Sequence, residues 1–243
     1  MGGWNVRLPR WLVPARRRGH EILDAPDIDT ALRERSHRDI DLSNRLLGGT
    51  RALSLALHQA FAHAPPRTLS LLDVGSGSGE NLLLARRLAR KAGVTLRPFA
   101  LDIDERLARR STMQGASVCG SATALPFADG AVDVVVCSLL VHHFCGDDLT
   151  QVVRELHRVA RYRVIIHDLR RSWIAAGGLW VASFPLGFHP VSRHDGMTSV
   201  MRGFTAGELE SLIAQVTGSS PEVSHRLGYR LVASWAPERI GAD

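Results

Sequence analysis

Lysine and cysteine are both scarce in this sequence of 243 residues. Lys91 is the only lysine, so arginine carries nearly all of the basic charge behind the formal net charge of +6. The cysteines are odd in number and lack Cys-x-x-Cys spacing, which argues against a disulfide framework and a zinc knuckle and favours a reduced cytoplasm. They are Cys119, Cys137 and Cys145.

Long apolar runs are also missing. The longest apolar tract, residues 173–188, is interrupted by glycines and a proline and is shorter than the ~20 residues that span a bilayer. No continuous apolar segment precedes Glu21, so neither a secretory signal nor a transmembrane segment is expected. With 45% hydrophobic and 22% charged residues, the composition is that of an ordinary globular protein.

Basic residues cluster near the start of the chain, ahead of the first acidic residue, Glu21. We expect residues 1–20 to form a solvated or disordered basic arm. The alternative is a weak contact with a membrane surface through Trp4, Trp11 and the arginines. These arginines are Arg7, Arg10, Arg16, Arg17 and Arg18.

The remaining sequence predicts a helical extension at 21–66 and one α/β domain at 67–243. From residue 68, short apolar runs alternate with helical stretches, which is typical of a doubly wound, mostly parallel, Rossmann-like sheet. The Gly-, Pro- and aromatic-rich segment 172–203 predicts an irregular insertion that either packs in the core or covers a substrate pocket. Seven strands are predicted at 69–74, 96–101, 118–119, 132–138, 163–167, 222–226 and 230–235, and helices at 30–47, 50–63, 80–92, 105–114, 147–161 and 205–217.

A buried strand runs into a glycine-rich turn at a helix N-terminus in residues 71–80, Leu-Leu-Asp-Val-Gly-Ser-Gly-Ser-Gly-Glu. Glycines there let the backbone approach a ligand closely. A dinucleotide fingerprint would place a glycine at position 80, where Glu80 would instead repel a pyrophosphate. The pattern D-x-G-x-G-x-G resembles motif I of class I S-adenosylmethionine-dependent methyltransferases.

The resemblance continues in order through residue 144. Asp102 ends the second strand, where a carboxylate accepts ribose hydroxyls; a simple cap with Asp104 is the alternative. Residues 120–127 resemble G-D-A-x-x-L-P-F, with Ser121 where the family has Asp. The resemblance implies S-adenosylmethionine as the cofactor, bound by Asp73, Gly75, Ser76, Gly77, Gly79, Asp102, Ile103, Ser121, Ala122, Ser138 and Leu139.

Within this class, the chain resembles the ubiquinone/menaquinone-biosynthesis-like superfamily. More narrowly, it is similar to bacterial methyltransferases associated with type III polyketide synthases, although His167 stands where that group has Asn. This similarity implies a phenolic or polyketide-like acceptor and a role in secondary metabolism. The segments that carry it are 44–49, 168–172, 193–196 and 202–205.

Methyl transfer to a nucleophile needs few catalytic residues, because the sulfonium is already electrophilic. A helix beginning near Ser138 would direct His142 toward the methyl group and rotate His143 about 100° away. His142 is therefore the preferred general base, suited to a phenol, with His143 and His167 as further candidates. Alternatively, the histidines only cap or pack against the fourth strand. No metal is expected, since Asp168 lacks a matched second carboxylate.

The sequence thus predicts an enzyme that methylates a small apolar or aromatic acceptor, on oxygen. The basic charge leaves an RNA methyltransferase as an alternative, although base-amine methylation would require [N/D]-P-P-[Y/F] where residues 138–141 read Ser-Leu-Leu-Val. A non-catalytic, cofactor-binding partner subunit is the other alternative, supported by Ser121 alone. An NAD-dependent oxidoreductase is disfavoured by the glycine spacing.

Overall fold

A seven-stranded sheet forms the centre of the computed structural model, which describes residues 10–17, 19–25, 28–63, 68–111 and 115–237. The strands are β1 (Thr68–Val74), β2 (Thr95–Asp102), β3 (Ala116–Cys119), β4 (Val132–Ser138), β5 (Ala160–Leu169), β6 (Glu222–Arg226) and β7 (Arg230–Trp235). Their order is β3-β2-β1-β4-β5-β7-β6. β1 to β5 are parallel, whereas β7 runs antiparallel to β5 and β6 to β7. The predicted fold class is confirmed.

Helices cover both faces of the sheet, as a parallel sheet requires. They are α1 (Thr30–Leu46), α2 (Gly49–Ala62), α3 (Glu80–Lys91), α4 (Glu105–Ser111), α5 (Gly146–Val159), α6 (Trp173–Ser183), α7 (Pro190–Arg202) and α8 (Ala206–Thr217). Neighbouring residues of β1 point to opposite faces: Leu71 packs with Leu53 of α2 and Leu82 of α3, and Leu72 packs in the cluster that includes Leu156 of α5.

Local sequence signals set most of the helix ends. The Asp29 side chain accepts from the Leu32 amide at the start of α1, and Thr205 and Glu208 form the reciprocal capping box of α8. Several predicted boundaries were wrong by two or three residues: α5 ends at Val159 rather than at 161, β5 spans Ala160–Leu169 rather than 163–167, and β3 begins at Ala116 rather than at 118. Of the helix predicted at 105–114, the structure shows 105–111, and residues 112–114 lie outside the described residues.

The segment 172–203, predicted to be irregular, folds instead into α6 and α7. Ser172 caps α6 by accepting from the Ile174 amide, and His189 caps α7 ahead of Pro190 at its first position. Helical periodicity is hidden in α6 because the helix has no polar face, and because Gly177 and Gly178 lie in its middle.

The described part of the basic arm is fastened to the domain rather than disordered, although several of its residues, among them Trp11, remain exposed. The Arg16 side chain donates to the carbonyls of Arg202 (2.7 Å) and Phe144 (3.0 Å), and the Arg17 amide donates to Met201. Further along, Asp195 of α7 accepts from two backbone amides of residues 22–23. Residues 14–17 and 19–25, which we call the strap, therefore lie across α7. Trp4, Arg7 and Arg18 fall outside the described residues.

The strand order reverses between β1 and β4, so the loops after these strands diverge to opposite faces of the sheet. Ligands of open α/β sheets bind at such a point, at the carboxyl ends of the strands. Each helix in the described ranges is too short or too polar to cross a bilayer.

Candidate active site

The glycine-rich loop between β1 and α3, which we call the cradle, is held in place by its own backbone N–H groups. The amides of Gly75 and Ser76 donate to the Leu101 carbonyl (2.8 and 3.0 Å), which fastens the loop to β2. Gly75, Gly77 and Gly79 have φ of 73°, 51° and 81°, values that other residues rarely adopt. A Cβ built at Gly77 would meet no atom within 4 Å. The backbone there faces open space, where a ligand fits.

Asp102 joins the cradle to the loop after β2. Its Oδ2 accepts from the Gly77 amide (2.8 Å) and its Oδ1 from the Asp104 amide (3.0 Å), so the turn with Asp104 expected as an alternative is present. Each carboxylate oxygen has a second lone pair with which to accept from a nucleoside hydroxyl. The next residue, Ile103, is 76% exposed and offers an apolar surface at the same edge.

Asp73 of β1 is a buried carboxyl group beneath the cradle. Neither of its oxygens has a hydrogen-bond partner among the described residues. Burial raises the pKa of Asp73 to about 7, and the nearby Asp102 charge adds to this, against the opposing effect of the Asn81 amide. A cationic ligand in the cradle would favour the ionised form.

Ser121 makes a local turn rather than pointing freely outward. Its Oγ lies 2.8 Å from Thr123 Oγ1 and accepts from the Thr123 amide. Ala122 is buried in the core, and the Gly120 amide donates to the Asp102 carbonyl (2.9 Å). This segment therefore borders the cradle on the Asp102 side.

The loop after β4 links the cradle to the catalytic candidates. The short 3-10 helix of this loop is Val141–His143, so the expected helix start near Ser138 was wrong. Leu139 has φ of 55°, an uncommon value for a branched side chain that is found mainly at functional sites. Leu140 lies against Gly75, where a Cβ would come within 2.8 Å of its side chain.

His142 is held by Asp168 at the end of β5. Nδ1 of His142 lies 2.6 Å from Asp168 Oδ1, and the His142 amide donates to Oδ2 (3.1 Å). Burial alone would raise the pKa of Asp168, but the His142 imidazole and the hydrogen bonds from His142 and the Leu169 amide outweigh it and lower the pKa. The ionised carboxylate fixes the proton on Nδ1 and leaves Nε2 as the basic nitrogen.

His143 reaches the same cavity as His142, which corrects the expectation that it is rotated away. The two ring centroids are 4.4 Å apart, and the Nε2 atoms of both lie 3.9 Å from the carboxylate oxygens of Glu21. The carboxylate of Glu21 thus faces both rings.

His167 lies away from that cavity. Its Nδ1 is 2.8 Å from the Ser138 hydroxyl, so the two residues engage each other at the β4–β5 pair. Burial, with the charge of Arg230, lowers the pKa of His167 to about 3 and keeps it neutral. Of the three histidines proposed as catalytic, His167 is the one that does not line the cavity.

Glu21 is a site residue that the sequence did not indicate. The strap places its carboxylate against α7, where it accepts from the Ser199 hydroxyl (2.6 Å) and pairs with Arg202 (3.3 Å). It lies 121 residues from His142, and no periodic pattern connects the two. The one available signal was that Glu21 is the first acidic residue, directly after the basic arm.

A cavity of about 360 Å³ opens over these side chains. Its wall is mostly apolar and comes from α1, the α6–α7 pair and the turn between β6 and β7, with Leu139, His142 and His143 at one side. The aromatic cover expected at 172–190 is only partly right. Phe188 lines the cavity, whereas Trp173, Trp180 and Phe184 are exposed on the outside.

Glu21, His142 and His143 place their potential ligand atoms within 4.8 Å of one another. Ligands about 2.1 Å from an ion lie closer together than this, roughly 3–3.5 Å apart. Arg202 also already supplies a positive charge to Glu21. The arrangement is therefore an ion-paired cluster rather than a preformed metal site, and Asp168 is committed to His142.

Residues 72–166 match the family model described as a methyltransferase domain. The chain is 29% identical over 164 residues to an uncharacterized methyltransferase of Mycolicibacterium gilvum, covering 67% of this chain and 58% of that relative. It is 34% identical over 129 residues to a demethylmenaquinone methyltransferase of Thermus thermophilus, 49% of this chain and 54% of that protein. The chain thus spans little more than half the length of these relatives.

Solved structures share the fold. The plantazolicin methyltransferase BpumL, in complex with S-adenosylhomocysteine, superposes with a TM-score of 0.63 at 13% identity, over 85% of this chain and 90% of that one. Residues 72–166 thus match a methyltransferase domain, and the chain shares its fold with solved methyltransferase structures.

Proposed function

We propose that this chain, whose residues 72–166 form a methyltransferase domain, transfers the methyl group of S-adenosylmethionine to an acidic hydroxyl of a small, apolar-bodied acceptor, most simply a phenol. The observation that carries the proposal is the contact between His142 and Asp168, which orients His142 in the wall of an apolar cavity. Leu140, in the same loop as His142, lies against Gly75 of the cradle.

The residues of the cradle fit S-adenosylmethionine. Its open backbone at Gly77 gives room for the cofactor, and Asp102 retains acceptor capacity for ribose hydroxyls. A cationic ligand would favour the ionised form of the buried Asp73 carboxyl, which would then balance the ligand's charge. The bound cofactor would supply an electrophilic methyl group. The protein's own part is to orient the acceptor and remove its proton.

His142 has the geometry of a general base. Asp168 holds its ring and occupies Nδ1, so Nε2 is the nitrogen that takes the proton of the acceptor. Glu21, 3.9 Å from that nitrogen, stabilises the imidazolium that results. An imidazole suits deprotonation of a phenol far better than deprotonation of an aliphatic alcohol. Positioning and base catalysis together are sufficient for this reaction.

The cavity favours a small-molecule acceptor over the two alternatives, RNA methylation and a non-catalytic subunit. Its walls are helices with little polar surface, which suits an apolar ring system and offers no channel of arginines for a phosphate backbone. The second alternative, a non-catalytic subunit, rested on Ser121, whereas a base held by a buried carboxylate is a catalytic feature. The narrower assignment to polyketide-derived phenols and to a cytoplasmic enzyme of secondary metabolism remains part of this proposal.

Methyl transfer from labelled S-adenosylmethionine tests the proposal. The intact protein is incubated with a panel of hydrophobic phenols, matched aliphatic alcohols and bulk RNA. We expect labelled methyl ethers from phenols and at least tenfold less product from the alcohols. Labelling of RNA alone, with binding that weakens steeply as salt rises, would contradict the proposal in favour of RNA methylation.

A further inference from the structure

Helix α6 presents an apolar stripe to solvent. From Trp173 to Ser183 it contains no charged residue. Spacings of seven and four residues place its large exposed side chains on one stripe, which continues one residue beyond the helix. We call this the outer face of α6; it consists of Trp173, Ile174, Trp180, Val181 and Phe184, between 43% and 63% exposed.

The opposite side of the same helix lines the cavity. Ala175, Gly178 and Leu179 form part of the cavity wall. Ile174 both lines the cavity and remains 43% exposed, and Ile40 of α1 does the same at 41%. Residues that line a cavity while remaining exposed mark its opening. The outer face of α6 therefore adjoins the mouth of the acceptor cavity.

Two arginines frame this face. The Arg17 guanidinium lies 5.2 Å from the Trp173 ring centroid and that of Arg193 lies 4.0 Å from the Phe184 ring centroid. The Trp180 and Phe184 rings pack edge to face, 4.8 Å apart. Exposed tryptophans beside arginines and free of carboxylates are the combination that binds the interface of an anionic bilayer.

We propose that the outer face of α6 docks on the surface of an anionic lipid membrane. Trp173, Trp180 and Phe184 enter the headgroup region, and Arg17 and Arg193 pair with lipid phosphates. The cavity mouth then lies against the membrane, so an acceptor dissolved in lipid enters without crossing water. Docking on the membrane does not depend on the proposed function. Only the uptake of an acceptor from the lipid rests on the proposed function.

A second copy of the chain fits this face less well. Taking about 200 Å² for each large side chain, the half-exposed residues offer on the order of 500 Å², below the roughly 800 Å² per partner of a stable interface. In a two-fold dimer the face would also meet itself and bring the arginines of both copies together.

Co-sedimentation of the intact protein with vesicles tests the proposal. We expect at least about fivefold more protein on vesicles of phosphatidylcholine with phosphatidylglycerol than on phosphatidylcholine alone. The double variant Trp180→Gln/Val181→Gln should lose most of this binding, and Arg17→Gln should weaken the preference for anionic lipid to which Arg17 and Arg193 both contribute. Leu55→Gln/Leu83→Gln, changed at exposed leucines of α2 and α3, is the matched control and should bind as the parent does.

Binding that is equal in both double variants, or absent from anionic vesicles, would overturn the proposal. Loss of a dimer in the Trp180→Gln/Val181→Gln variant, seen by light scattering without any vesicle binding by the parent, would assign the face to a second copy instead. Cofactor affinity and turnover of a water-soluble phenol should be unchanged in this variant, because neither residue lines the cavity. That readout separates failure of docking from failure of the proposed methyl transfer.

Discussion

The imidazole Nδ1 of His142 lies 2.6 Å from Oδ1 of Asp168, joining the loop after β4 to the carboxyl end of β5. Both residues are buried, and Asp168 also accepts from the His142 backbone amide. Two contacts to one side chain fix the position of the loop and the direction of the ring. The pair therefore sets which nitrogen meets the acceptor.

Asp168→Asn should lower kcat by tenfold or more, because a neutral amide neither fixes the proton on Nδ1 nor stabilises the imidazolium. The affinity for S-adenosylhomocysteine should change little, since Asp168 does not contact the cradle. Steady-state kinetics and calorimetry check the two quantities. The exposed Asp148→Asn is the matched control and should retain parental kcat; parental kcat in Asp168→Asn would show that the pair is only structural.

Asp102→Ala should abolish most of the rise in melting temperature that S-adenosylhomocysteine causes. The variant removes an acceptor for ribose hydroxyls and also frees the Gly77 amide, which loosens the cradle. Asp104→Ala keeps the backbone amide that donates to Asp102 and should retain the rise in melting temperature. It therefore serves as the control in differential scanning fluorimetry. An equal rise in both variants would remove Asp102 from the cofactor site.

The stability of the protein should depend on pH through Asp73. Its pKa is about 7 in the native state against an ordinary 3.8, so the native state keeps a proton that the unfolded chain releases. The stabilising contribution of that proton is present below about pH 4 and is lost as pH rises to about 7. The side chain of Asp73→Asn is neutral at every pH. Above pH 7 the free energy of unfolding of this variant should therefore exceed that of the parent by an amount on the order of 2–4 kcal/mol.

Urea unfolding at pH 4.5 and pH 8 measures this difference. The gain of Asp73→Asn over the parent should be larger at pH 8, and the surface variant Asp148→Asn should show no such trend. A gain that is the same at both pH values would mean that Asp73 stays ionised in the native protein.

Ser121→Asp should tighten binding of the cofactor several-fold. The carboxylate replaces the hydroxyl as acceptor for the Thr123 amide and has a second oxygen available for an amine, to which a charged acceptor bonds more strongly. Calorimetry with S-adenosylhomocysteine measures the change. Ser121→Asn, similar in size but neutral, is the control; weaker binding in Ser121→Asp would show that Ser121 does not face the adenine.

Local patterns in the sequence were sufficient for the sheet and the cradle. β1 and its glycine turn are contiguous, so residues 71–80 alone indicate a strand, a turn and a helix start. Thr205 and Glu208 likewise predict their own capping box. The motif order then identifies the neighbouring strands, because each βαβ unit repeats the same connection.

The sequence did not predict helix α6, the role of Glu21 or the position of His143. These features depend on contacts between distant residues or, in α6, on a helix without a polar face. Helix α6 is apolar toward both the cavity and solvent, so it has no helical periodicity of polar residues to detect. Glu21 reaches His142 only because the strap is fastened to α7 through Arg16, Arg17 and Asp195. The placement of His143 was wrong because the argument from helix rotation left out the distant Glu21, whose carboxylate lies 3.9 Å from Nε2 of both histidines.

The turnover of the His142→Ala variant on a phenolic acceptor is the sharpest test of base catalysis by His142. We expect kcat to fall at least about tenfold while the affinity for S-adenosylmethionine stays at the parental value, and we expect His143→Ala to lose less. Single-turnover methyl transfer, measured with saturating cofactor in both variants, separates the chemical step from binding. Full turnover in His142→Ala would contradict base catalysis and leave positioning alone as the source of the rate.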